Sequence, residues 1–162
     1  NSFELNLYDQ SDLEYASKHL RVISGLYGLL DPLDVIQPYR LEMKTKLQTK
    51  KASNLYQFWG NKLNQAIQNL NPDYIINLAS LEYSKAINLD LFKGKVISPV
   101  FLKENTHGEL KNIAIYAKKA RGAMADFIIR HRIEDVKGLE KFSWHGYKFL
   151  KSSDPQKPEF VL

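Results

Sequence analysis

Apolar positions change their period several times along the chain, and each change marks an element. Phe3, Leu5 and Leu7 alternate as in an edge strand. Ser11 with Glu14 has the form of a capping box, and Leu13, Ala16, Leu20, Ile23 and Tyr27 continue one helical stripe that ends around Gly25 and Gly28. Asp31 before Pro32, with Asp34 in the first turn, predicts a short second helix that Pro38 stops. After a polar loop over residues 44–54, Asn54 caps a helix that carries Leu55, Phe58, Trp59, Leu63, Ile67 and Leu70 on a broad apolar face. Phe58 and Trp59 read most simply as packing residues, with stacking on a base as the alternative. Residues 74–80 are apolar on both faces, as an interior strand is. Residues 95–102 form another strand, edged or bulged by Pro99.

The stretch 110–132 carries the clearest change of period. Ile113, Ile115 and Ala117 alternate as in a strand, which a polar turn over residues 104–109 would join to the preceding one as a hairpin. From Ala120 onward, Ala123, Met124, Phe127 and Ile128 follow helical spacing, with Lys118, Arg121 and Arg132 along one edge and Gly122, Ala125 and Ile129 on the far side. Lys118, Lys119 and Arg121 are thereby expected where a strand ends and a helix begins, beside free amides and the positive end of a helix dipole. Such a cluster is either a solvated surface or a place for an anion. A short helix over 134–140 and a hairpin of 146–150 with 158–162 complete the prediction.

The fold class that follows is α+β, a mixed β-sheet packed with helices, with a helix-hairpin-helix-like element near the N-terminus. The 162 residues are 44% hydrophobic, enough for one sizeable core and a single domain over 1–162. The chain opens on Asn1 and is read as part of a longer protein. A net charge of +5 makes a polyanion a reasonable partner. The absence of cysteine removes thiolate catalysis and thiolate metal sites, and fits a reducing cytoplasm. The histidines at 19, 107, 131 and 145 lack ligand spacing, so no metal or cofactor is expected, and His131 falls in the apolar stripe, where it reads as a hydrogen-bonded core residue.

Two further groups are candidates for chemistry. Helix, glycine turn and short helix would let the amides around Gly25 and Gly28 hold a phosphate, although two residues separate the glycines and a helical C-cap is the slightly favoured reading of the turn by itself. Arg40 either clamps a phosphate or pairs with Glu42 or Asp34. Past the strand 74–80, Asn77, Ser80, Glu82 and Tyr83 gather polar groups. They either cap a turn or form an enzyme site, with Glu82 as general acid or base and Asn77 and Ser80 orienting a nucleotide-like substrate.

The segments HLRVISGLYGLLDPLDVIQPYRLEM (19–43), NLYQFWGNKLN (54–64), INLAS with Glu82 and Tyr83, PVFL (99–102) and YAKKARG (116–122) with Phe127 to Ile129 occur in the order found in the YaaA family of bacterial peroxide-stress proteins, which the chain resembles. The family's N-terminal third, with its SPAK-type segment, has no counterpart here, and Gly60 abuts Asn61 where the family has a few more residues. The resemblance implies a cytoplasmic protein that binds DNA through a positively charged cleft and a helix-hairpin-helix, by structure rather than sequence, and keeps unincorporated iron low during peroxide stress. It carries over onto Arg21, Gly25, Gly28, Arg40, Lys118, Lys119 and Arg121. An enzyme acting on a nucleotide or base, and an interaction domain meeting an acidic protein, stand as alternatives.

Overall fold

The computed structural model describes residues 3–162. In chain order the elements are a 3₁₀ turn (Leu5–Leu7), α1 (Gln10–His19), β1 (Val22–Ser24), β2 (Gly28–Leu30), α2 (Leu55–Trp59), α3 (Lys62–Leu70), β3 (Tyr74–Ile76), α4 (Leu81–Ser84), a 3₁₀ turn (Leu89–Leu91), β4 (Lys95–Ile97), β5 (Val100–Glu104), β6 (Leu110–Lys111), α5 (Ala114–His131), a 3₁₀ turn (Lys137–Lys141), β7 (Lys148–Leu150) and β8 (Glu159–Val161). The class is α+β, with helices and several small sheets. Two compact units divide the chain: one takes the residues up to Ala16 with Ile76–Leu78 and Val96–Leu162, the other Ser17–Ile75 and Ala79–Lys95. The chain passes between them at β3 and β4, which pair as a separate two-stranded sheet.

The first unit is built on a four-stranded sheet in the order β6-β5-β8-β7. The β5–β8 pair is parallel and the outer pairs are antiparallel. Register places Phe101, Phe160 and Phe149 side by side across three strands, so their rings share one face. Phe101 stacks on Phe160 with centroids 5.5 Å apart, while Phe142 and Tyr147 meet Phe101 edge-on. Against this aromatic layer α5 lays Ala117, Ala120, Ala123 and Met124, all buried. Small side chains on that stripe let the helix backbone approach the rings closely.

The residues before α1 fold onto the C-terminal half of α5. Asp126, buried in that half, accepts hydrogen bonds from the amide of Glu4 (3.0 Å) and the hydroxyl of Tyr8 (2.9 Å). Arg130 closes the group, 2.7 Å from Glu4 and 3.6 Å from Asp126. Burial and the Asp126 carboxylate both push the Tyr8 phenol well above its ordinary pKa. In place of the edge strand expected at Phe3, Leu5 and Leu7, Leu5–Leu7 form the 3₁₀ turn, with Leu5 and Leu7 exposed and no strand paired with them among the described residues. The predicted capping box is also displaced. Asp9 accepts from the amide of Asp12 (2.8 Å) and Asp12 from that of Asp9 (3.1 Å), so α1 starts before Ser11, whose hydroxyl donates to Asp9.

The second unit corrects the helix-hairpin-helix. The stripe read as one helix through Tyr27 stops at His19, and β1 and β2 form a β-hairpin with Ser24 opposite Gly28. Ser24 Oγ accepts from the amides of Leu26 (3.2 Å) and Tyr27 (3.0 Å), which closes the turn. The β-branched Val22 and Ile23 suit a strand better than a helix end. The short helix expected after Pro32 is a single turn, in which Asp31 Oδ1 accepts from Leu33 and Asp34 Oδ2 from Asp31. Asn54 caps as expected, accepting from Gln57 at 2.9 Å. The helix behind it breaks at Gly60 (φ 43°), yet Leu55 before the break and Leu63 after it both reach a core with Met43, Ala86 and Ile87. Ser98 and Pro99 split the strand predicted over 95–102 into β4 and β5.

Two outcomes test these contacts. Gly28 has φ 84°, and a β-carbon there would lie 2.7 Å from the Trp59 ring, so Gly28→Ala is expected to destabilise by at least about 2 kcal/mol in urea unfolding. Asp126→Ala leaves the Glu4 amide, the Tyr8 hydroxyl and Arg130 short of an acceptor. It should cost about 2 kcal/mol by the same measurement, and a change within error would contradict the anchoring role.

Candidate nucleic-acid interface

Burial decides the structure of the YAKKARG segment. Read as a strand, Ile113, Ile115 and Ala117 share a face; in the structure Ala117 is fully buried while Ile115 is 63% exposed. The segment is the first turns of α5, which begins at Ala114 with the extended Ile113 as its N-cap. A short apolar alternation is ambiguous between the two periods, and the alanines at 114, 117, 120 and 123 favour the helix. Asn112 fixes the entry by donating to the carbonyl of Phe101 (3.1 Å).

This places the basic residues differently from the expectation. The unsatisfied amides belong to Ala114, Ile115 and Tyr116, since the amide of Ala117 already donates to Ile113 (2.9 Å). Lys118, Lys119 and Arg121 lie one turn further along, not at a strand–helix junction. Lys118 and Arg121, three residues apart, share an edge, and Lys119 is the exposed residue between them in sequence. Arg132 does not join them: it is the left-handed C-cap of α5, and its guanidinium meets Asp12 at 3.0 Å and also contacts Asp9 and Ser11. His131 is exposed, its ring 4.4 Å from that of Phe127, so it is not a core residue.

Among the described residues no carboxylate pairs with Lys118, Lys119 or Arg121. The lysines are exposed, whereas Arg121 is half-buried, and burial alone disfavours its charge. The first turn of α5 contains no acidic residue and Ile113 supplies no capping side chain, so nothing offsets the positive helix pole. Across the β5–β6 hairpin Lys103 stands opposite Lys111. Glu109 takes up Lys111 at 2.8 Å, while the Lys103 ammonium sits 4.1 Å above the Tyr116 ring. Sequence reasoning missed Lys103 and Lys111 because their proximity to the helix depends on hairpin register.

The remaining candidates are mostly committed to structure. Arg21 donates to the carbonyls of Ser17 and Leu20 (both 2.6 Å) and lies 3.4 Å from Asp31, closing the end of α1. A β-carbon on Gly25 would sit 2.6 Å from the Leu41 carbonyl, and Trp59 Nε1 donates to the Gly25 carbonyl at 3.0 Å. The two glycines therefore admit Leu41 and Trp59 to the hairpin. Arg40 is exposed and pairs with neither Asp34 nor Glu42, the latter being 3.4 Å from Lys44. Glu82 accepts from the amide of Lys44 (3.1 Å) and lies 3.5 Å from its ammonium. Ser80 is the N-cap of α4 without a side-chain cap bond, and Asn77, in the other unit, donates to Ser98 at 3.4 Å. Among the described residues no group of His, Asp and Glu could hold a metal ion, and no helix is long and apolar enough to cross a membrane.

An α+β fold that leaves one helix edge basic and uncompensated defines the class, and comparison with known proteins supplies the family. A family model described as Peroxide stress protein YaaA matches residues 1–153. Two UPF0246 proteins, from Aliivibrio fischeri strains MJ11 and ATCC 700601 / ES114, are each 48% identical over 153 residues, covering 92% of this chain and 59% of their own length. The chain belongs to the YaaA peroxide stress family, and it spans about three-fifths of the relatives it matches.

Glu82 and Glu42 together raise the pKa of Lys44, the Glu82 charge being the largest cause. A raised folded-state value means that the stabilisation is complete below the ordinary lysine pKa of 10.5 and is lost as pH rises through the folded value. Glu82→Gln should therefore lower the thermal midpoint near neutrality, and its deficit should close above that pH. A deficit independent of pH would assign the loss to packing.

Proposed function

We propose that this chain is the part of a peroxide-stress protein that holds DNA, gripping phosphates with Lys118, Lys119 and Arg121 and reading structure rather than sequence. The observation that carries this reading is Arg121, a half-buried guanidinium that burial disfavours and no carboxylate among the described residues compensates. Such a group awaits an anion with several acceptor oxygens, and a phosphate offers them in bidentate geometry. Lys118 on the same edge and the acid-free first turn of α5 point the same way. Arg40, exposed in the second unit, is a further phosphate contact in this reading. The glycine turn is not used, because its close approaches are filled from within. In the whole protein, DNA binding in the cytoplasm would serve the restraint of unincorporated iron that the family resemblance implies, without iron being bound by these residues. The enzyme alternative meets a Glu82 carboxylate already held by Lys44.

The test is electrostatic. Each phosphate contact contributes about 0.9 to the slope of log affinity against log salt. Replacing Lys118, Lys119 and Arg121 together by Ala should weaken DNA binding across unrelated sequences and flatten that slope. An unchanged slope removes these residues from the interface.

A further inference from the structure

The strand β3 has the sequence of a sheet interior, yet it lies in a sheet of two strands. Tyr74, Ile75 and Ile76 place apolar side chains on both faces, and all three are half-buried, as is every residue from Tyr74 to Ser80. A strand with one covered face would alternate between buried and exposed. The carbonyl of Asp73 accepts from the amide of Lys95 (3.2 Å), and the carbonyl of Ile97 accepts from the amide of Asn77 (2.7 Å). The partner numbers rise together, so β3 and β4 run parallel. Parallel strands are found with both faces covered, and a sheet of two strands is marginal in water. Successive residues of a strand direct their N–H and C=O groups to opposite edges. Asp73 and Asn77 face β4, so Ile76 faces the other edge, where no strand pairs among the described residues.

We propose that the open edge of β3 takes a further strand, apolar on both faces, from the part of the family's length that this chain does not span, so that β3 becomes the middle strand of the sheet. The chain covers 59% of the length of its relative from Aliivibrio fischeri strain MJ11, so about two-fifths of that protein lies outside the match. A strand of about five residues is a small share of it. The chemistry of the edge fixes the kind of occupant. A free ladder edge is satisfied by main-chain donors and acceptors in extended conformation, and half-buried tyrosine and isoleucines call for aliphatic or aromatic neighbours on both faces. A nucleic acid supplies neither. Natural edges are blunted by lysine or proline, and Tyr74–Ile76 contains no charged residue and no proline. Its partner β4, by contrast, carries the exposed Lys95. An all-apolar edge of this kind is a hazard for aggregation unless a strand covers it.

The experiment is residue-resolved hydrogen exchange on the full chain and on the whole A. fischeri relative. In the chain the amide of Ile76 should exchange about a hundredfold faster than that of Asn77, which is bonded to Ile97. In the relative the two corresponding amides should be protected alike. The source of the strand is read by placing the photo-crosslinker p-benzoylphenylalanine at the position of Tyr74 in the relative and sequencing the linked peptide. A peptide from outside the matched region, together with protection at the Ile76 position, is the expected result. An amide at the Ile76 position that stays unprotected in the relative overturns the proposal, and so does equal protection of both amides in the chain alone. A crosslink between two copies would assign the edge to self-association, and one confined to the matched region would show the edge covered from within; either outcome overturns the proposal as well. None of these readings involves DNA, so the phosphate contacts of α5 stand or fall separately.

Discussion

The contact between the alanine face of α5 and the aromatic layer of the four-stranded sheet governs the direction of everything on the helix surface. Ala117 and Ala120 are completely buried over Phe101 and its neighbours, and a larger side chain at either position would lift the helix from the rings. With that face set, helical geometry leaves no freedom for the rest. Lys118 and Arg121 must flank the buried stripe on one side, Ile115 must face outward, and Asp126 must turn toward the residues that precede α1.

Charge on α5 is divided along its length. In the C-terminal half, Glu4, Asp9, Asp12 and Asp126 answer Arg130 and Arg132, and basic residues there also suit the helix dipole. In the N-terminal half, Lys118, Lys119 and Arg121 oppose the dipole and have no carboxylate partner among the described residues. Stability alone would select the reverse arrangement. The cost is tolerated at the end of the helix where the hairpin lysines and the exposed Ile115 also lie, which is why that end, and not the glycine turn, carries the functional proposal.

In the second unit the residues with the strongest look of a site have internal partners. Gly25 and Gly28 are glycines because Leu41 and Trp59 come within the space a β-carbon would occupy. Arg21 satisfies carbonyls at the end of a helix, and Glu82 ties down the backbone at Lys44. Each was legible as a residue type suited to phosphate or proton chemistry, but the choice between site and scaffold depends on what approaches from elsewhere in the chain. Arg40 is the exception, exposed and without an ion pair among the described residues.

The sequence by itself determined the α+β class, the Asn54 cap, the β5–β6 turn, the closing hairpin and, through ordered segments, the family. These depend on local chemistry: a capping amide, a turn composition, or identity over long stretches. Tertiary structure decided the rest. It made a hairpin of a stripe that periodicity read as helix, because β-branched residues, a serine-closed turn and the Trp59 contact outweighed a repeat of apolar positions. It also made a helix of an apparent strand at Ile113 to Ala117, because alternation over so few residues is compatible with both periods. The burial of Ala117, with Ile115 left in water, distinguishes them.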